Sequence, residues 1–279
     1  MKPSLNGVII GTSMSLEEQV DLAARHGLKG VDTGIEALAA LVQAKSLEGA
    51  REFFDTSGVQ PACWGLPVDW RASEDDFAAG LKALPGHAKV GQDLGCTSCC
   101  TWLPPSVDCD PAELRKLAVK RFGECAKVLG GFGCSLGLEW VGPKTCRTAE
   151  NVWIHRMDQL LEMEAEMGQP NVGLLVDSFH WFTAGHTPEE LAAVPVEQIV
   201  HVHLNDAPAR PRDEQIDSQR LLPGEGVIDL LGFLTALKTV GYTGYMGIET
   251  FSKELTALPP DQAAARAAAA AKKVLALVI

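Results

Sequence analysis

The feature that most constrains this chain is an alternation. Short apolar runs of strand length are separated by longer segments whose apolar residues recur at helical spacing. The strand-like runs are VIIGTS (8–13), LKGVDTG (28–34), VQPACWGLP (59–67), CTSCCTWLP (96–104), CSLGLEWVG (134–142), NVGLLVDSFH (171–180), QIVHVHLND (198–206) and GYMGIET (244–250). Helical pattern fills the intervals, and several segments carry start signals. Ser15 is followed three residues on by Glu18, Asp110 precedes Pro111, and Thr187 precedes Pro188. Thr148 reads as the cap of a helix over 148–168, and an Ala-rich helix closes the chain over 261–278. Each connection is long enough to return the chain to the same end of the sheet, so the strands are predicted to be parallel. Eight such units close on themselves more naturally than they form an open sheet. The expectation is an α/β fold, a single (β/α)8 barrel of the TIM type over residues 1–279, with no linker and no repeat beyond the βα unit.

Composition narrows the partners. The net charge is −12, with the acidic residues spread over the helices, so nucleic acid is a poor partner and a phosphate backbone gains nothing from the overall field. No apolar run approaches about 18 residues and the start lacks the marks of an export signal, so neither a membrane span nor secretion is expected and the protein is placed in the cytoplasm. The eight cysteines are expected to be reduced thiols, and those of the 96–100 run small buried strand residues rather than a zinc knuckle. Phosphate-loop and dinucleotide fingerprints are absent, so no nucleotide cofactor is expected.

In barrels of this kind the site lies at the C-terminal mouth, built from strand ends and the loops after them. The fifth strand ends in Leu138-Glu139-Trp140. The sixth ends in Val176-Asp177-Ser178-Phe179-His180. The seventh carries His201-Val202-His203-Leu204-Asn205-Asp206, and the eighth ends in Ile248-Glu249-Thr250. An ionisable side chain in an apolar strand is costly to bury alone. Four such groups at equivalent depth in adjacent strands are explained by a cation in their midst.

From the fifth strand onward the segments GLEWVGPKT, VGLLVDSFHWFTAG, IVHVHLNDAP, LPGEGVIDLLGFL and GIETF resemble the xylose isomerase-like barrels. That superfamily includes ketose 3-epimerases, inosose isomerases and dehydratases, and endonuclease IV. The resemblance implies one divalent metal held by Glu139, Asp177, His203 and Glu249, with Glu139 and Glu249 also acting as the acid–base pair. It places His180 against the substrate or the ligands. Endonuclease IV members bind three metals with extra histidines. VDTG, ACWG and the 207–222 loop contain none, which argues against a trinuclear site and against abasic-site cleavage.

Three carboxylates and one imidazole favour Mn2+ or Mg2+, with Co2+ or Zn2+ as alternatives. A metal chelating a carbonyl oxygen and a neighbouring hydroxyl stabilises the enediolate left when a carboxylate removes the adjacent proton. Returning the proton to the opposite face gives an epimer, returning it to the neighbouring carbon gives an aldose–ketose isomer, and loss of a β-hydroxyl gives a dehydratase. The expected function is metal-dependent isomerisation or epimerisation of a keto-sugar or sugar phosphate. A lyase using the same site is the alternative, and a metal-dependent phosphodiesterase or endonuclease is a more distant one.

Other residues are candidates for substrate contact. Trp140 and Trp181, with Trp64 and Trp102, lie at or near strand ends, where they form either a wall for a sugar ring or packing at the mouth. Lys144, Arg210, Arg212 and Arg220 lie in loops of the active side, where one or two would hold a carboxylate or phosphate. His201, two residues before His203, reads as a core or supporting residue, and Glu225 in Pro223-Gly224-Glu225-Gly226 as exposed. The resemblance points to a dimer or higher homo-oligomer.

Overall fold

The structure is a computed structural model that describes residues 1–11 and 14–278. Eight parallel strands close into a barrel: β1 (Lys2–Asn6), β2 (Gly30–Thr33), β3 (Gln60–Gly65), β4 (Ser98–Trp102), β5 (Ser135–Glu139), β6 (Val172–Asp177), β7 (Ile199–Leu204) and β8 (Tyr245–Ile248). Each strand pairs with the next in sequence, and β1 closes the ring against β8, with Lys2 opposite Tyr245 and Leu5 opposite Ile248. Helices between the strands pack outside, and one continuous apolar core joins them to the barrel wall. The bore holds its own small cluster of Cys63, Cys100, Leu175 and Val200, which floors the site above it. All eight cysteines are free, and Cys96, Cys99 and Cys100 are buried. Among the described residues, no helix is long and apolar enough to cross a membrane.

Three boundaries differ from the sequence expectation. The first strand is Lys2–Asn6, not 8–13, and residues 7–9 form a 3-10 turn that Asn6 begins by accepting from the Val8 amide. Positions 12 and 13 lie outside the described residues. The run KPSLN conceals a strand because Pro and Asn disfavour one locally. Ser4 is nevertheless fully buried, its hydroxyl donating to Asp32. Buried Ile9 and Ile10 are apolar because they pack against the core, not because they are in a sheet.

The sixth strand stops at Asp177. Residues 178–184 form a short helix whose N-cap is Asp177 itself. The helix expected over 148–168 begins only at Met157, because Asn151–Val152 pairs antiparallel with Ser106–Val107 over the loop. Thr148 therefore caps nothing.

Candidate active site and metal centre

Parallel pairing puts the ends of β5 to β8 at one level. Glu139 is the last residue of β5 and Asp177 the last of β6. Asp177 stands opposite His203 of β7, His203 stands opposite Gly247 of β8, and Glu249 follows directly after β8. One ligand-type atom from each of Glu139, Asp177, His203 and Glu249 lies within 4.8 Å of the others. The four residues singled out from sequence therefore converge.

His203 Nδ1 is the centre of the group, 3.3 Å from Glu249 Oε2 and 3.7 Å from Glu139 Oε1. Both His203 Nδ1 and Glu139 Oε1 are buried and have no hydrogen-bond partner. Other buried atoms of the chain also lack a partner, but these two face each other at 3.7 Å within a cluster of acids, where a cation would satisfy both. Asp32 and Asp217 add their carboxylates to the surroundings, so five carboxylates are set against one guanidinium, that of Arg220. A divalent cation fits both the orphaned atoms and the charge. The donor set of three carboxylates and an imidazole is one that Mn2+, Mg2+, Co2+ and Zn2+ all accept.

The four converging side chains are held from behind. Asp177 Oδ1 accepts from the Phe179 and His180 amides, at 2.7 and 2.9 Å, and Oδ2 from Asn205 Nδ2 at 2.7 Å. A single aspartate thus starts a helix and presents an oxygen to the cluster, which is the physical content of the Asp-x-x-His spacing. Arg220 is buried and its Nη1 bridges Asp177 Oδ2 at 3.0 Å and Glu249 Oε2 at 2.8 Å. Nη2 donates to Asp217 and to His180 Nε2. His180 is thus held from both sides, its Nε2 facing Arg220 at 3.0 Å and its Nδ1 facing the Gly142 amide at 3.4 Å.

The charges set the protonation of the ion-free cluster. Burial raises the Glu139 carboxyl above its usual range, although His203 and His180 oppose it. Burial also acts on Glu249, but His203 and Arg220 outweigh it and hold that carboxyl well below the usual range. For His203, burial is overcome by Glu249, Asp32 and Glu139, so its pKa rises. Asp32 is likewise depressed, burial being outweighed by His201 and His203.

A cavity of about 410 Å³ opens beside the cluster, lined by Glu139, His203 and Glu249 together with Asn6, Gln19, Asp32, Thr33, Thr101, Trp64 and Trp102, among others. Trp102 is half exposed at its rim, whereas Trp64 is buried with Nε1 donating to Cys96 O. The other named candidates stand outside this lining. Trp140 is fully buried, donating to His180 O. Trp181 is buried against Phe233. His180 backs Arg220. Lys144 pairs with Asp213 in the open, Arg212 lies over the Phe182 ring, and Arg210 is half-buried in the loop. Of the four loop cations only Arg220 reaches the cluster. His201 does not join the four-residue group and bonds instead to Asp32 at 3.2 Å. Glu225 is exposed.

Two residues went unnoticed in the sequence. Asp32 faces both His201 and His203, and Asn6 Nδ2 lies 3.4 Å from Glu249 Oε1. Asp32 carried the same signal as the four converging residues, an acid inside the apolar strand GVDT.

Known proteins share this architecture. A model of the xylose isomerase-like TIM barrel family matches residues 20–274. An inosose isomerase of Bacillus velezensis is 23% identical over 266 residues, covering 94% of this chain and 92% of its own. A 3-dehydroshikimate dehydratase of Pseudomonas aeruginosa is 34% identical over 111 residues, which are 39% of this chain but only 17% of that protein. A xylose isomerase domain protein of Alicyclobacillus acidocaldarius superposes with a TM-score of 0.92 at 32% identity over 99% of both chains. The IolI protein with a bound zinc atom superposes at 0.83, with 23% identity over 100% of this chain and 99% of its own, a likeness of fold. On the closed parallel barrel and the match over most of its length, the chain belongs to the xylose isomerase-like TIM barrel family.

Proposed function

We propose that the protein is a divalent-metal-dependent isomerase or epimerase of an uncharged polyhydroxy ketone, a ketose or a cyclic inosose. The observation that carries this reading is the convergence of Glu139, Asp177, His203 and Glu249 with two orphaned atoms between them, at the floor of a sugar-sized cavity. The full-length likeness to an inosose isomerase supports it, and the zinc-bound structural neighbour supports a divalent ion.

When bound, the ion supplies Lewis-acid polarisation of a carbonyl oxygen and neutralises the converging acids. The side chains of this chain do the rest. Glu139 and Glu249 line the cavity as an acid–base pair. Arg220 and Asn6 fix the two oxygens of Glu249 from opposite sides, so that its orientation survives a change of charge. Trp102 and Trp64 give the cavity apolar walls against which a ring can lie, and Gln19, Thr33 and Thr101 give it neutral polar groups suited to hydroxyls.

The choice of an uncharged substrate follows from the same lining. No lysine or arginine is among the described residues that line the cavity, and Arg71 is stacked over the Trp102 ring at 5.5 Å. A sugar phosphate or a carboxylated substrate calls for a fixed cation. Incubation of the metal-loaded protein with uncharged ketoses and inososes in deuterated water is expected to give exchange at the carbon next to the carbonyl. Absence of exchange across the panel would reject the reading. The partial likeness to a dehydratase favours a second one, a lyase using the same residues. An enone absorbance appearing without epimer or isomer would select it.

A further inference from the structure

Asp32 reaches across the bore from β2. Its Oδ1 accepts from Ser4 Oγ at 2.9 Å, while Oδ2 lies 3.2 Å from His201 Nε2 and 3.6 Å from His203 Nε2. The space it fills is left open by β8, the strand on the other side of β1. A Cβ added at Gly247 of β8 would collide with Asp32 Oδ2 and stand 3.0 Å from His203 Cδ2. One strand therefore omits a side chain at the place where another delivers a carboxylate.

An imidazole binds an ion only through a nitrogen that carries no proton, and the partner of the other nitrogen sets which one that is. His203 turns Nδ1 to Glu139 and Glu249 and Nε2 to Asp32. At 3.6 Å the Asp32 contact is longer than a hydrogen bond, so it acts as a charge facing the N–H edge of the ring. Ser4 and His201 keep that charge in place.

We propose that Asp32, seated in the gap at Gly247, is the positioning residue that keeps His203 Nδ1 free and turned to the cluster, so that affinity for a divalent cation depends on it. This rests on the metal centre proposed above. Carboxylates in this relation to a ligating histidine raise metal affinity by about 10–100-fold.

The test is Mn2+ affinity of the full chain, read from the electron paramagnetic resonance of the free ion. Wild type is compared with Asp32→Ala, Asp32→Asn and Gly247→Ala, and circular dichroism reports folding. Asp32→Ala and Gly247→Ala are expected to weaken binding by about 10–100-fold. Asp32→Asn, which keeps the shape but removes the charge, is expected to weaken binding as well. A merely structural role would lower the melting temperature and leave the affinity of the folded protein unchanged, and that result overturns the proposal. Should Asp32→Ala fail to fold, the near-isosteric Asp32→Asn decides: a loss of about threefold or more supports the role and none overturns it. A wild type that takes up no Mn2+ would instead remove the metal centre, and this role with it, before any variant is compared.

Discussion

In the proposed function, Glu139 and Glu249 are the residues through which the chemistry stands or falls. Glu139→Gln and Glu249→Gln keep the shape of the side chain and an oxygen for the cluster but remove a group able to exchange a proton. Each is expected to lower kcat by about 10²–10⁴-fold, with the fold intact by circular dichroism. Comparable turnover in either variant would show that the other carboxylate is sufficient. These two residues, with Asp177 and His203, were legible because each is an ionisable group in an apolar strand. Asp32 met the same criterion, but in GVDT no second ligand-type residue stands beside it to mark it. The place of Arg220 could not be read at all, since a loop sequence does not say where the loop turns back.

A second residue-scale consequence lies far from the site. Glu164 is buried on the helix Met157–Met167, beside Leu160, Met163 and Met167, and neither carboxylate oxygen has a partner. Burial pushes its pKa up to about 8 from 4.5. A raised carboxyl favours the fold while protonated. Its contribution is therefore complete below about pH 4.5 and is lost as pH rises through about 8. Glu164→Gln is expected to remove this slope, with the variant gaining on wild type by on the order of 4 kcal/mol between the two ends of that range. Urea denaturation of both proteins across the range checks it, and parallel curves would contradict it. The residue was not singled out from sequence because Glu162, Glu164 and Glu166 share one helix, and only the register tells which faces the core.

Among the elements, the loop from β7 to the following helix links stability to the site. Asp206 accepts from the amides of Ala207, Gly224, Gly226 and Ile228, and its backbone pairs with Leu221, next to Arg220. Gly226 is required there, because a Cβ would collide with Ala207 O. Asp206→Ala leaves four amides without their acceptor. It is expected to cost about 2–4 kcal/mol in urea denaturation and to lower kcat by loosening Arg220 against Glu249. A variant with unchanged stability would contradict the claim that this carboxylate organises the loop. Element type was legible wherever the apolar period was strong, as in the helix Leu16–Arg25. It was not legible where tertiary contacts decide. The polar strand Lys2–Asn6 exists because β8 and β2 flank it, and Asn151–Val152 is extended because Ser106–Val107 pairs with it.

At the scale of the molecule, closure of the barrel is what turns four distant sequence positions into one cluster. Alternating periods are a global signal and specify the barrel. The cavity is a local one, because its front wall comes from Asn6, Gln19, Asp32, Thr33 and Trp64, whose side chains meet only after closure. That is why the four converging residues could be read from the sequence while the neutral character of the lining could not. The proposed metal centre requires one ion bridging strands β5 to β8. The most direct measurement is a crystal structure of the protein soaked in Mn2+, with anomalous scattering at the metal edge. One peak is expected, coordinated by Glu139, Asp177, His203 Nδ1 and Glu249. A map with no peak among these four side chains, or with the ion bound elsewhere, would contradict the metal centre and leave only the barrel.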